Sequence, residues 1–484
     1  MSTENTQLVL STTQDGRTKD LRYRQRQFRA LHEWMSRHPS EIQAALQKDD
    51  GLSELEAQFL FTLLSNKLRE FYDSLDLKTE LANEYSIKAG RDNAERMVSE
   101  DLTYVIPAKW ALIFNVFSVL YACMAAGSCC VVELPKDLRD STSLVRSVFR
   151  EALDKTAFIT VSSRPPVDFL TRCIVVDQTG SISAAGMQRL ISSETGGAAV
   201  AIVDRTADVD QAAKEILKSR MSFSGRGPYA PRYIIVNEFV EAEFLDLLRR
   251  YNPQQRTISM NRANSSDVID HAQPGTEKDN RALAGEIVLE QPCFRLIRIP
   301  DRNELWNPLQ ASGARSVKLL ATSSHDDAID AINGKNEKAL LALYVFADPS
   351  AAKYLSQFIR TRVSFVNHIP TNILVWPSAP VGYPVSPDSV YSRTMIESPS
   401  PQFVHPGEGS LTLEDLAQDR SQRWEQLYRS SLRPLKPTSQ PNPGSMNFFK
   451  QGLLVGAVFY LFPIIAVTAS GSAVLLQRLW RWRT

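Results

Sequence analysis

The sequence predicts an α/β protein built on parallel sheets, in two successive halves, with a membrane-crossing helix at its C-terminal end. Three observations carry this. Short apolar runs of strand length, TYVI (Thr103–Ile106), CCVVEL (Cys129–Leu134), Phe158–Val161 and CIVVD (Cys173–Asp177), follow one another with helical signals between them. The same alternation returns from Ala199 to Asn367. Strands that alternate with helices predict crossover connections and a parallel sheet. Finally, no charge interrupts the chain from Gly452 to Leu476.

The elements follow in order. The polar opening, MSTENTQLVLSTTQDGRTKD, has no apolar core segment, which predicts a disordered N-terminus over 1–20 and no signal peptide. Arg22–Gln47 reads as a helix pair: Phe28, Leu31, Trp34 and Met35 fall at helical spacing, Pro39 interrupts, and Ile42, Ala45 and Leu46 continue. Leu52–Leu75 carries a second apolar stripe. In the later half, Ala199–Val203, Arg232–Val236, Leu340–Phe346 and Val363–Asn367 read as strands. Asp208–Arg220, Glu238–Tyr251, Asp326–Ile332 and Ala351–Arg360 read as helices. Asn261–Asn280 is polar and reads as an exposed loop. Leu411–Tyr428 places Leu413, Leu416, Trp424 and Leu427 near one face of a short amphipathic helix. Ser430–Ser445, dense in proline and serine, is a semi-extended spacer.

Gly452–Leu476 would reach roughly 37 Å as a helix, enough to cross a hydrocarbon core of about 30 Å with some tilt. Lys450 flanks one end, and Arg478, Arg481 and Arg483 the other, interleaved with Trp480 and Trp482. Indoles and long basic side chains favour the membrane–water boundary. Pro463 is tolerated there as a kink. A span this close to the chain end predicts tail anchoring with the body in the cytosol. The organelle stays open among endoplasmic reticulum, peroxisome and outer mitochondrial membrane.

A chain of 484 residues exceeds one ordinary core. Its 55 basic and 54 acidic residues leave a formal charge of +1, so bulk charge gives no argument for nucleic acid. Cys123, Cys129, Cys130, Cys173 and Cys293 form no C-x-x-C pair and read as reduced thiols. His32, His38, His325, His368 and His405 show no ligand spacing, and no metal site is expected.

Local matches then point to a family. RYRQRQFRAL near Arg22, AALQKD at Ala44, AVAIVDRTADVDQAAKEI (Ala199–Ile216), AIDAINGKNEKALLALYVF (Ala328–Phe346) and SFVNHIP (Ser364–Pro370) occur in the order and spacing of the aldehyde dehydrogenase superfamily. Over about Arg22–Val404 the chain resembles its membrane-associated fatty-aldehyde branch. The resemblance implies a Rossmann-type cofactor domain with N-terminal helices (21–193), an α/β catalytic-like domain (194–372) and a return and oligomerisation segment (373–429). A linker (430–450), a transmembrane helix (451–477) and a basic tail (478–484) follow.

The chemistry departs from the family. There a cysteine thiolate attacks the aldehyde, hydride passes to the nicotinamide, and a glutamate activates water. In SGRGPYAPRYIIV, Gly225 takes the glycine position of the G-Q-x-C segment, Arg226 the glutamine position and Pro228 the cysteine position. Proline supplies neither a nucleophile nor an N–H. The missing oxyanion donor alone typically costs about 100- to 1000-fold in rate. Trp110, in AKWALIF, takes the position of the oxyanion-holding asparagine. Glu133 stands where a lysine contacts the cofactor ribose, which opposes NADP. Val288, in VLEQP, replaces the glutamate that holds the nicotinamide ribose. Thr179-Gly180-Ser181 keeps the phosphate-side motif, but the helix after it is shortened, so NAD binding is doubtful.

Glu194 keeps the family's general-base position, as a base or as inherited scaffold. Gly180 and Ser181 meet a pyrophosphate or form a plain turn. Cys293 is a relocated nucleophile or a packing thiol. Ser222 and Ser224 have no identified base. Two readings remain: a pseudoenzyme, dimeric with itself or with an active paralogue, or an NAD-dependent oxidoreductase acting on a fatty or other hydrophobic aldehyde. A third role is to hold a hydrophobic aldehyde or acyl group without turning it over.

Overall fold

A computed structural model of the chain describes residues 3–184, 186–193, 196–251, 285–290, 295–307, 316–334, 338–405, 413, 417, 422–437 and 448–465. Met1–Val404 form one compact unit and His405–Thr484 a second.

The first unit opens with α1 (Thr3–Asp15), α2 (Leu21–Arg37), α3 (Pro39–Asp50), α4 (Glu54–Asp73) and α5 (Leu77–Glu84). Helix α2 starts where the Asp20 side chain accepts Tyr23 N–H at 2.9 Å, and it buries Phe28, Leu31, Trp34 and Met35. Helix α4 starts on a capping box, Ser53 with Glu56. Next come β1 (Met97–Ser99), β2 (Leu102–Ile106), α6 (Leu112–Ala126), β3 (Cys129–Glu133), α7 (Asp140–Glu151), β4 (Phe158–Val161), α8 (Val167–Leu170), β5 (Ile174–Asp177) and β6 (Arg189–Ser192). Strands β2 to β6 make a parallel five-stranded sheet in the order β4-β3-β2-β5-β6. Cys129 and Cys130 are fully buried in it, as core.

The disorder predicted over 1–20 is corrected here: Thr3–Asp15 is helical. Its polar sequence conceals a narrow packing edge. Val9 is fully buried and Thr12 nearly so, where α1 runs beside β3 and β4. Two positions a turn apart suffice to dock a helix whose other faces stay wet.

The second sheet uses β7 (Ala199–Val203), α9 (Val209–Met221), β8 (Tyr233–Asn237), α10 (Glu238–Arg250), β9 (Glu286–Glu290), β10 (Arg295–Arg298), β11 (Ser316–Thr322), α11 (His325–Asn333), β12 (Ala342–Phe346), α12 (Pro349–Phe358) and β13 (Ser364–Val366). Its order is β13-β12-β7-β8-β11-β10-β9, parallel except for β9 against β10. Strand β14 (Glu397–Pro399) returns to pair antiparallel with β1.

In the second unit, α13 (Gln422–Ser431) is followed by α14 (Phe448–Gly456), which continues through a π-helical turn at Ala457–Leu461. Among the described residues no helix is long and apolar enough to cross a membrane. The predicted span lies outside the described residues from 466 onward.

Candidate functional site

The segment holding Pro228 begins where α9 ends. Phe223, Ser224 and Gly225 carry φ of 52°, 56° and 59°, three successive left-handed residues. For the two non-glycine residues this conformation costs roughly 1–2 kcal/mol each, so the surroundings must impose it. Glu56 Oε1 accepts Phe223 N–H at 2.7 Å, while Oε2 accepts Ser53 N–H at 2.9 Å. The Phe223 ring packs on Phe59 at 5.9 Å. The buried Arg220 donates from Nη1 to Gly225 O at 3.2 Å. Beyond Pro228, the fully buried Tyr229 accepts Ala379 N–H on its hydroxyl (3.0 Å) and Tyr344 O–H on its carbonyl (2.8 Å). The turn is therefore fixed from both sides and offers no thiol. Glu56 is held by two main-chain donors and is not placed as a base for Ser222 or Ser224.

Trp110 faces this turn. A Cβ built on Gly227 would lie 3.5 Å from Trp110 Cη2. The indole Nε1–H is buried beside the turn and makes no hydrogen bond. Ala111 follows with φ 52°, and its N–H donates to Asp50 Oδ1 at 3.0 Å. Asn115 anchors the same bend, donating from Nδ2 to Trp110 O at 2.7 Å.

Asp50 is 3% exposed, and burial raises its carboxyl to about 6. The Ala111 N–H and the charges of Arg139 and Arg226 only partly offset that cost. A folded value above the ordinary 3.8 means that the native state binds the extra proton between about pH 4 and pH 6. Stability therefore falls as pH rises through that window. Asp50→Asn keeps an acceptor for Ala111 and is expected to stabilise the protein by about 1–3 kcal/mol near neutral pH, with no gain near pH 4. Urea unfolding at both pH values checks this; a gain independent of pH would refute it.

In the first sheet the strand order reverses between β2 and β5, and open α/β sheets bind ligands beyond the strand ends at such a point. Here the chain fills that crevice itself. Gln178 accepts Ala108 N–H on Oε1 (3.0 Å) and donates from Nε2 to Asn115 O (3.0 Å), spanning the gap. The fully buried Asp177 accepts Thr179 N–H (2.9 Å) and Thr179 O–H (2.7 Å) on Oδ1, and Ile182 N–H (2.7 Å) on Oδ2. Gly180, at φ 62°, allows the turn, and because the Thr179 proton is on Asp177, Thr179 Oγ1 accepts Ser181 O–H at 2.8 Å. Donors that would meet an anion are already on a carboxylate. Among the described residues no helix separates Ser181 from β6, so no helix terminus adds its dipole. At the end of β3, Glu133 accepts Tyr104 O–H (2.7 Å) and pairs with Arg164 (3.1 Å). Val288 lies within β9.

The family model for the aldehyde dehydrogenase family matches residues 12–269, more than half of the chain. The chain belongs to the aldehyde dehydrogenase family. It is 23% identical over 372 residues to mouse aldehyde dehydrogenase family 3 member A2, covering 69% of this chain and 72% of that protein. It is 24% identical over 359 residues to the beta-apo-4'-carotenal oxygenase of Gibberella fujikuroi, covering 67% and 65%. Among solved structures, Staphylococcus aureus AldH superposes with a TM-score of 0.63 at 16% identity, over 90% of this chain and all of that one. A Corynebacterium glutamicum NAD-dependent benzaldehyde dehydrogenase gives 0.56 at 16%, over 74% and 83%. At these identities the superpositions speak for the fold.

Within this aldehyde dehydrogenase fold, Trp110 packs beside the turn that carries Gly227 and Pro228, and Gly180 and Ser181 follow β5 at the crevice. Glu194 and Cys293 lie outside the described residues. The residues present do not fit a dinucleotide: the phosphate-side donors face Asp177, and Gln178 bridges the loop after β2 and the start of α6. Sequence reasoning missed Asp177 and Gln178 as occupants and Asp50 as a buried charge. The one signal for Asp177 is an acid closing an otherwise apolar strand directly before T-G-S. His325 is engaged elsewhere, with Nε2 2.8 Å from Asp204. No cluster of metal-ligand residues occurs among the described residues.

Proposed function

We propose that the chain is a catalytically silent aldehyde dehydrogenase relative, a pseudoenzyme held on a membrane. The observation that carries this is that the nucleophile turn and the cofactor crevice are both filled by the chain's own atoms. Pro228 removes the thiol and an oxyanion donor, while Asp177 and Gln178 take the places of a ligand. Support for the anchor comes from α14 and the residues after it: Leu453, Leu454, Phe459, Tyr460, Phe462 and Ile464 are all more than half exposed. A helical segment apolar on every side is stable in lipid rather than water. In this reading the uncharged run to Leu476 makes one pass, with the body in the cytosol. The β1–β14 ribbon supports a dimer, with itself or with an active paralogue, because an isolated two-stranded ribbon is marginal on its own. A hydrophobic aldehyde or acyl group suits the location as a ligand.

The test is calorimetric titration of the detergent-solubilised chain with NAD, beside NADH formation from medium- and long-chain aldehydes. We expect no saturable NAD binding and no NADH above a Glu194→Gln control. Turnover by the wild type that Glu194→Gln abolishes would establish the other reading, an active oxidoreductase with a different nucleophile.

A further inference from the structure

We propose that α13, with the basic stretch after it, binds an anionic phospholipid surface. At 100° per residue, Trp424, Leu427, Tyr428 and Ser431 share one face of the helix, while Gln422, Gln426 and Arg429 take the other. Trp424 and Tyr428 stack at 6.4 Å with their planes 25° apart, forming one aromatic ridge. Tyr428 is half exposed, and past the helix end Leu432 and Leu435 are exposed further still. Between Gln422 and Lys436 the bases Arg423, Arg429, Arg433 and Lys436 face one acid, Glu425, which pairs with Arg429 at 2.9 Å. The segment is therefore cationic in a chain that is nearly neutral overall.

A Trp/Leu/Tyr face beside a basic excess is the composition of a helix that lies in the headgroup layer. The polar face repels hydrocarbon and the bases attract acidic headgroups, so such a helix lies on the surface and does not cross. What selects lipid as the occupant is position along the chain. The exposed apolar residues of 453–465 begin only a short Pro-rich linker downstream, so an anchored chain would hold α13 within reach of the bilayer. The inference rests on the anchor reading above, and it adds a second contact chosen by lipid charge.

Met1–Val404 is compact by itself, so a chain ended after Ser445 keeps the folded body and α13 but loses the anchor. Flotation of that chain would be measured with phosphatidylcholine vesicles and with phosphatidylserine-rich ones. We expect binding on the order of tenfold stronger to the anionic vesicles. It should be lost when salt is raised from about 0.1 M to about 1 M, which shortens the Debye length from about 10 Å to about 3 Å. Leu427→Ser with Tyr428→Ser, and separately Arg429→Glu with Arg433→Glu, should each abolish flotation without moving the thermal transition of the body. No binding, equal binding to both vesicle types, or binding that survives both double variants would overturn the proposal. Failure here, with the full chain still resisting alkaline extraction from membranes, would leave the anchor reading standing. Release of the full chain by alkali would sink the anchor reading instead.

Discussion

Pro228→Cys is expected to regain a reactive thiol and still form no NADH. The variant restores two things at once, a sulfur and a main-chain N–H, at a turn whose backbone is already fixed by Glu56, Arg220 and Tyr229. Of the four other cysteines in the described residues, all are buried, and burial pushes Cys129 and Cys173 up to about 12. Maleimide labelling should therefore gain one fast site. Dehydrogenation needs a hydride acceptor as well, and the thiol does not open the crevice that Asp177 and Gln178 close. Adding Asp177→Ala frees the N–H groups of Thr179 and Ile182, and this double variant should show weak NAD binding by calorimetry where the single variant shows none. NADH formation by Pro228→Cys alone would mean that the crevice admits a dinucleotide despite its internal bonds.

Why the sequence exposed one half of this site and hid the other is a matter of range. Pro228 and Trp110 are readable because each breaks a local motif whose neighbours, Gly225 and Ala230 among them, keep the register. Asp177 and Gln178 break no pattern: an acid and an amide before T-G-S read as a turn. Their effect comes from where the sheet order carries β5, beside β2 and the start of α6. The same holds for the scaffold. TYVI and CCVVEL are legible because a central parallel strand is buried on both faces and reads as one apolar run. Strand β11 went unassigned because Lys318 interrupts its run. That lysine is only 5% exposed, yet its ammonium donates to the carbonyls of Glu304, Leu305 (3.2 Å) and Asn307 (2.8 Å). Three donors with three acceptors make a buried amine tolerable, and no local pattern announces them.

The largest stability effect falls on Gly227, one residue before the lost nucleophile. A Cβ there would stand 1.9 Å from Leu374 O and 2.9 Å from the Leu374 carbonyl carbon. Both are main-chain atoms, in the short helix Thr371–Val375 whose Ile373, Leu374 and Val375 are buried. No rotamer change can relieve the clash, and Tyr229 is tied through Ala379 and Tyr344, so neither wall of the contact is free to recede. Gly227→Ala is expected to cost about 3 kcal/mol, the upper end of ordinary overpacking, because the clash is with fixed backbone. Gly51→Ala separates crowding from conformation. Gly51 has φ 70° with nothing within 4 Å of its Cβ position, so its cost should be limited to the left-handed backbone, about 1 kcal/mol. Urea unfolding of the two variants beside wild type measures the difference. A Gly227→Ala loss no larger than that of Gly51→Ala would show that the 371–375 segment yields.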